Sequence, residues 1–160
     1  MILFHGSTIC IEHPLCDFGR PNFDFGKGFY LTDRQIQAEE WARRQASAKN
    51  ATPLLNLYEF DKDASVKDFR YLAFPSYDRA WLHFIVDNRN GKMVWKDYDV
   101  VEGGIANDRV IDTVNLYSIG LMDEETALSR LSEHAPNNQI CILNQAVVEK
   151  YLLFKESIEL

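Results

Sequence analysis

Phe4-His5-Gly6-Ser7, followed by Asp24-Phe25-Gly26-Lys27-Gly28-Phe29-Tyr30-Leu31-Thr32, is the stretch around which the chain is organised. Residues 2–5 are a short apolar run, read as a strand that delivers His5 at its end. Residues 28–32, Gly-Phe-Tyr-Leu-Thr, are aromatic and β-branched and predict a second strand. Between them lie Pro14, Gly19, Pro21 and Asn22, which predict loop. Beyond Thr32, Asp33 offers a side-chain oxygen to cap a helix over 34–48, a run of strong helix formers. On that helix Arg34, Ala38, Trp41 and Gln45 share a face through i, i+3 and i+4 spacing. Trp41 follows Tyr30 by eleven residues.

Working outward, Leu54 to Phe60 reads as a strand between Pro53 and Asp61-Lys62-Asp63. An apolar stripe of Trp81, Phe84 and Ile85 predicts a helix over 76–88, stopped by Asn88-Arg89-Asn90-Gly91. Asp97 to Ala106 alternates and predicts a strand turning at Gly103-Gly104. Helices are expected over 108–118 and 123–133, separated by Gly120, with Asp123 capping the second. Gln139 to Leu143 is a compact apolar strand. Residues 145–150 predict a short helix, and Tyr151 to Ile158 a last strand. Non-adjacent strands with interspersed helices point to α+β architecture with mostly antiparallel pairing.

The whole chain, 160 residues, suits one domain with a sizeable core. It is 46% hydrophobic and 26% charged, the composition of a globular protein. The formal charge of −7 argues against passive adhesion to nucleic acid or anionic membrane, which needs clustered Lys and Arg. No apolar run reaches the ~18 residues of a membrane span, and Met1-Ile2-Leu3-Phe4 is too short for a signal core. The three cysteines, an odd and sparse count, fit free thiols in a reducing compartment, so a cytoplasmic protein is expected.

Several chemistries are weak here. Gly26-x-Gly28 lacks a third glycine and precedes a strand, so it is not a dinucleotide fingerprint. Cys10-x-x-His13-x-x-Cys16 has zinc-ligand types but no fourth ligand at motif spacing. It is read as a loop with two buried thiols and a surface histidine, and no metal is expected. No Gly-x-Ser-x-Gly elbow exists.

The order and spacing of His5-Gly6-Ser7, Gly28-Phe29-Tyr30 and Trp41 resemble the ADP-ribosyltransferase superfamily, in the branch of diphtheria toxin and the poly(ADP-ribose) polymerases. The pattern from His-Gly-Ser through Asp-Phe-Gly-Lys-Gly-Phe-Tyr-Leu-Thr also looks like an uncharacterised bacterial domain family. That likeness extends to residues 99–108 and 139–144. The resemblance implies an ADP-ribosyltransferase-like split β-sandwich, two antiparallel sheets with flanking helices, spanning 1–160 as a single domain. It implies NAD+ as substrate, cleavage of the nicotinamide–ribose bond, and transfer of ADP-ribose to a protein or nucleic-acid acceptor.

The resemblance also implies roles. Backbone N–H and C=O of Gly6 hold the nicotinamide carboxamide, and His5 bonds the adenosine-side ribose. Tyr30 stacks on the nicotinamide, Trp41 closes the other side, and Ala38 leaves room for the ring edge. Ser7 and Gly28 complete the cofactor-binding set. Arg20 and Lys27, in the intervening loop, are candidates for the pyrophosphate. Characterised relatives begin a late strand with a catalytic glutamate; the matching strand here begins with Gln139. An amide can orient the ribose 2′-hydroxyl but brings no charge to an oxocarbenium-like transition state. Glu102 is the substitute carboxylate, with Asp99 and Asp108 behind it. Three functions follow: a mono-ADP-ribosyltransferase, possessing an antitoxin partner if it is a toxin–antitoxin or phage-defence effector; an NAD+ glycohydrolase; or a non-catalytic NAD+ or ADP-ribose-binding module. No membrane partner is expected.

Overall fold

The computed structural model describes residues 1–19, 21–106 and 110–160. Strand β1 (Ile2–Ser7) pairs antiparallel with β3 (Leu54–Phe60), and β3 pairs antiparallel with β7 (Leu152–Glu159), giving a first sheet in the order β1-β3-β7. The second sheet runs β2-β6-β5-β4, formed by Phe29–Leu31, Gln139–Ile142, Val100–Gly103 and Tyr71–Ala73. The expected α+β split sandwich of two sheets with flanking helices is what the chain forms. Its pairing is antiparallel except between β4 and β5, which run parallel.

The helices are α1 (Gln35–Lys49), α2 (Lys62–Asp68), α3 (Arg79–Arg89), α4 (Ile111–Ser118), α5 (Glu124–Leu131) and α6 (Gln145–Tyr151). Asp61, Asp78, Asp123 and Asn144 each accept a backbone N–H in the first turn of α2, α3, α5 and α6. Neither α2 nor β4 is apparent in the sequence. The Asp61-Lys62-Asp63 that bounds β3 in the sequence is the capped start of α2. The predicted strand from Asp97 is shorter: Val94–Asp97 coil into a 3-10 turn and pairing starts at Val100. That turn drives the Trp95 ring against Gly26, whose positive φ and lack of a Cβ both suit the contact.

Asp33 does not cap α1. Its carboxylate accepts instead from the Asn138 amide at 3.0 Å, and the Thr32 hydroxyl accepts the Arg34 N–H at 3.1 Å.

Among the described residues the two sheets meet at a single backbone bridge. Phe4 and Thr32 exchange both hydrogen bonds, at 2.8 and 3.0 Å. From that joint the sheets fold around Leu3, Phe29, Leu31, Tyr58, Ile140 and Ile142, all buried. The opposite face of the second sheet carries Cys141 and Val101 and packs on Trp81, Ile85, Val114 and Leu131 from α3, α4 and α5. Helix α1 covers the first sheet through Ala38, Ala42 and Ala46, one small side chain per turn. Among the described residues no helix is long and apolar enough to cross a membrane.

The expectation of two buried thiols in the first loop is corrected in one respect. Cys16 is buried but Cys10 is exposed, and all three cysteines are free. The described residues hold no group of three or more His, Cys, Asp or Glu arranged for a metal ion.

Candidate functional site

Bridge and ladder registers together define the geometry at the motif. In an antiparallel pair, successive residues point their backbone groups to alternate edges. Phe4 turns its N–H and C=O to Thr32, so Gly6, two residues on, turns its own groups toward that same edge. Continuing the Phe4–Thr32 register sets Gly6 opposite Tyr30, but the strands have separated there. The Tyr30 carbonyl is taken by the His5 ring, Nδ1 to O at 2.7 Å. The Gly6 N–H and C=O consequently have no hydrogen-bond partner among the described residues.

A carbonyl only accepts, so His5 donates from Nδ1 and holds its lone pair at Nε2. Burial pushes the imidazole pKa down, against the raising effect of that hydrogen bond. His5 is neutral at pH 7, and it stacks on Phe29 with ring centroids 4.6 Å apart.

Tyr30 pairs with Cys141, and continuing that register two steps sets Thr32 against Gln139. Tyr30 and Gln139 therefore lie two residues apart on one face of neighbouring strands, within reach of long side chains. Across the bridge this is the face that α1 covers on the first sheet. The two residues and the Gly6 edge thus lie along one continuous face, covered by α1 on the first sheet and by the layer of α3, α4 and α5 on the second. The Tyr30 ring is fixed by its hydroxyl, which donates to Gly26 O at 2.7 Å and accepts Phe25 N–H at 3.2 Å. Burial raises its pKa strongly, so the phenol stays protonated. The Gln139 side chain is partly exposed and bonds no described residue.

The other expected residues divide. Ala38 and Trp41 do not share an environment: Ala38 is buried while Trp41 is 52% exposed. Ala38 carries its carbonyl onto Gly6, so it packs the back of the motif instead of bordering open space. Gly28 is pressed on β6; a Cβ there meets Ile142 O and, at 2.7 Å, the Cys141 sulfur. Ser7 is buried and accepts Ile9 N–H at 3.3 Å. Lys27 pairs with Asp17. Arg20 and Asp108 lie outside the described residues.

Glu102 is the main correction. It pairs with Ile140, the neighbour of Gln139, and so points to the opposite face of the sheet from Tyr30 and Gln139. There it accepts from the Tyr71 hydroxyl at 2.7 Å and pairs with Lys62 at 2.6 Å. This carboxylate lines a cavity of about 360 Å³ with Pro75, Pro136 and Asn138, whose side-chain amide donates to it at 3.4 Å. Asp99 is also occupied. Arg70 Nε and Nη2 donate to its two oxygens at 3.0 Å each and hold its pKa down to about 2. The amide of Asn144 adds a third side-chain bond.

One important residue carries no motif signal. Asn56 is fully buried; it accepts Ile11 N–H at 3.0 Å and donates to Ile9 O at 3.1 Å, tying the loop after Ser7 back onto β3. An asparagine inside an apolar strand was the only hint.

A family model matches residues 1–154, and the chain belongs to that family, described as protein of unknown function (DUF3990). This agrees with the likeness to an uncharacterised domain family that the motif run displays. Comparison with curated proteins and with solved structures gives no match.

Proposed function

We propose that the chain is an NAD+-dependent mono-ADP-ribosyltransferase of the branch of diphtheria toxin and the poly(ADP-ribose) polymerases. The observation that carries the proposal is the unpaired backbone edge of Gly6 facing the strand that bears Tyr30. An N–H and a C=O presented side by side match the C=O and N–H of a carboxamide. Neutral His5 supports the reading, since its Nε2 lone pair can accept a ribose hydroxyl. The Tyr30 ring, and Trp41 on the neighbouring helix, offer aromatic surface to a cationic pyridinium, worth about 1–2 kcal/mol when desolvated.

In the reaction the C1′–N bond breaks and nicotinamide leaves neutral with the bonding pair. A lone pair of the acceptor then forms the new bond at C1′, and its proton passes to solvent. The Gln139 carbonyl would hold the ribose 2′-hydroxyl. Because it adds no negative charge, the rate depends more on a good acceptor nucleophile than in a glutamate enzyme. The acceptor is a protein or a nucleic acid. A cytoplasmic effector role, with an antitoxin partner, rests on the resemblance alone.

Gln139 also favours a second reading, a non-catalytic NAD+ or ADP-ribose-binding module, because Glu102 lies on the wrong face to replace a glutamate. Nicotinamide release from NAD+ by purified protein, with and without bacterial lysate, separates the readings. Release that needs lysate supports the transferase, and release without it indicates a hydrolase or self-modification. Binding that is lost in His5→Ala, with no release, supports the module. Absence of both binding and release refutes the site.

A further inference from the structure

Thr32 stands where four parts of the proposed site meet. Its backbone forms the bridge to Phe4, on the strand of His5 and Gly6. It follows Tyr30 by two residues on the same strand. Its hydroxyl accepts the N–H of Arg34 at 3.1 Å, at the start of the helix that bears Trp41. The same hydroxyl donates to the Asn138 carbonyl at 2.7 Å, one residue before Gln139. The side chain is buried, so water cannot replace either bond.

We infer that the Thr32 hydroxyl is a positioning residue that sets the entry of α1 and the start of β6 at a fixed spacing, and so sets Trp41 and Gln139 relative to Gly6 and Tyr30. The chemical reason is the bifunctional hydroxyl. It is the one side-chain type that can donate to a carbonyl and accept an N–H from a single atom. Serine shares that chemistry; valine keeps the β-branched shape and loses both bonds. The Asn138 side chain reinforces the joint from the other side, through Asp33 at 3.0 Å. The inference rests on the proposed function only for its consequence in catalysis, because the joint itself exists without NAD+.

The test compares Thr32→Val and Thr32→Ser with the native protein by amide hydrogen exchange and by nicotinamide-release kinetics. In Thr32→Val, exchange is expected to rise together over residues 34–38 and 138–139. The kcat is expected to fall roughly 10–100-fold with KM within about threefold, because displacement of about an ångström costs that much. Thr32→Ser is expected to restore both readouts to within about threefold of native. Thr32→Ala replaces the valine variant if that variant fails to fold. Exchange that rises at only one of the two segments, or serine that fails to rescue, overturns the inference. A native protein without nicotinamide release refutes the enzymatic reading instead, and the exchange arm then decides the inference alone.

Discussion

Replacing Gly6 by alanine probes the contact that seats α1 on the motif. A Cβ built at Gly6 lies 2.9 Å from Ala42 N and 3.0 Å from the Ala38 carbonyl carbon, with the Ala38 oxygen nearer still. All three atoms are backbone, so no rotamer change relieves the collision. Helix α1 must retreat by roughly 1.5 Å or more to bring the Ala38 oxygen to ordinary van der Waals separation. Overpacking of this kind costs about 1–3 kcal/mol, and the lack of a flexible partner argues for the upper end. Gly6 has no positive φ, so alanine also gains about 0.4–1 kcal/mol by restricting the unfolded chain. The net loss is about 2 kcal/mol, which for a chain of this size lowers Tm by about 4–8 °C. Calorimetry and urea melts of Gly6→Ala against native protein measure it. An unchanged Tm, within about 1 °C, would refute the packing argument, as would full recovery in Gly6→Ala/Ala38→Gly, because removing a side chain cannot move a carbonyl.

Tyr30→Phe removes the bond to Gly26 O and leaves Phe25 N–H without its acceptor; a loss of about 1–2 kcal/mol in urea melts is expected, with the ring and NAD+ affinity retained. Gln139→Ala is expected to lower nicotinamide release at least ~10-fold with little change in NAD+ affinity by calorimetry, and equal turnover would remove Gln139 from the mechanism. Asp99 has its folded pKa depressed to about 2, so its contribution is complete above the unfolded carboxylate range and is lost as pH falls toward 2. After discount for the exposed Arg70 this is about 1 kcal/mol, and Asp99→Asn should flatten that part of an acid-unfolding curve. The His5 pKa is lowered, so stability supplied by its neutral form is present above pH ~6.5 and declines below it; His5→Gln should remove that component from a Tm-versus-pH series.

The motif strands, α1, β3 and β6 were legible because each carries a period or a boundary in its own residues. Leu54–Phe60 matches its expected limits residue for residue. Elements held by distant partners were hidden. Strand β4 has only three residues and exists because β5 pairs beside it. Asp33 looks like a cap locally, yet its carboxylate is drawn to Asn138, 105 residues away. The same limit governs the candidate site. The spacing of His5, Gly6 and Tyr30 could be read in sequence, whereas the face on which Glu102 lies depends on the register of β5 against β6. Lys62 and Tyr71, its partners, belong to α2 and β4, the two elements that carried no sequence signal.

The three free thiols make the chain its own clock of opening. Cys10 is exposed, whereas burial raises the Cys16 thiol to about 11 and that of Cys141 well above the usual thiol range. Thiolate, the reactive form, is thus scarce at both buried positions even before access is considered. Cys16 lies in the loop after β1 and Cys141 in the middle of β6, against Gly28. An alkylating pulse would mark one sulfur at once, the second when the loop lifts and the third when the second sheet comes apart. The mass of the labelled chain would then report which layer had opened.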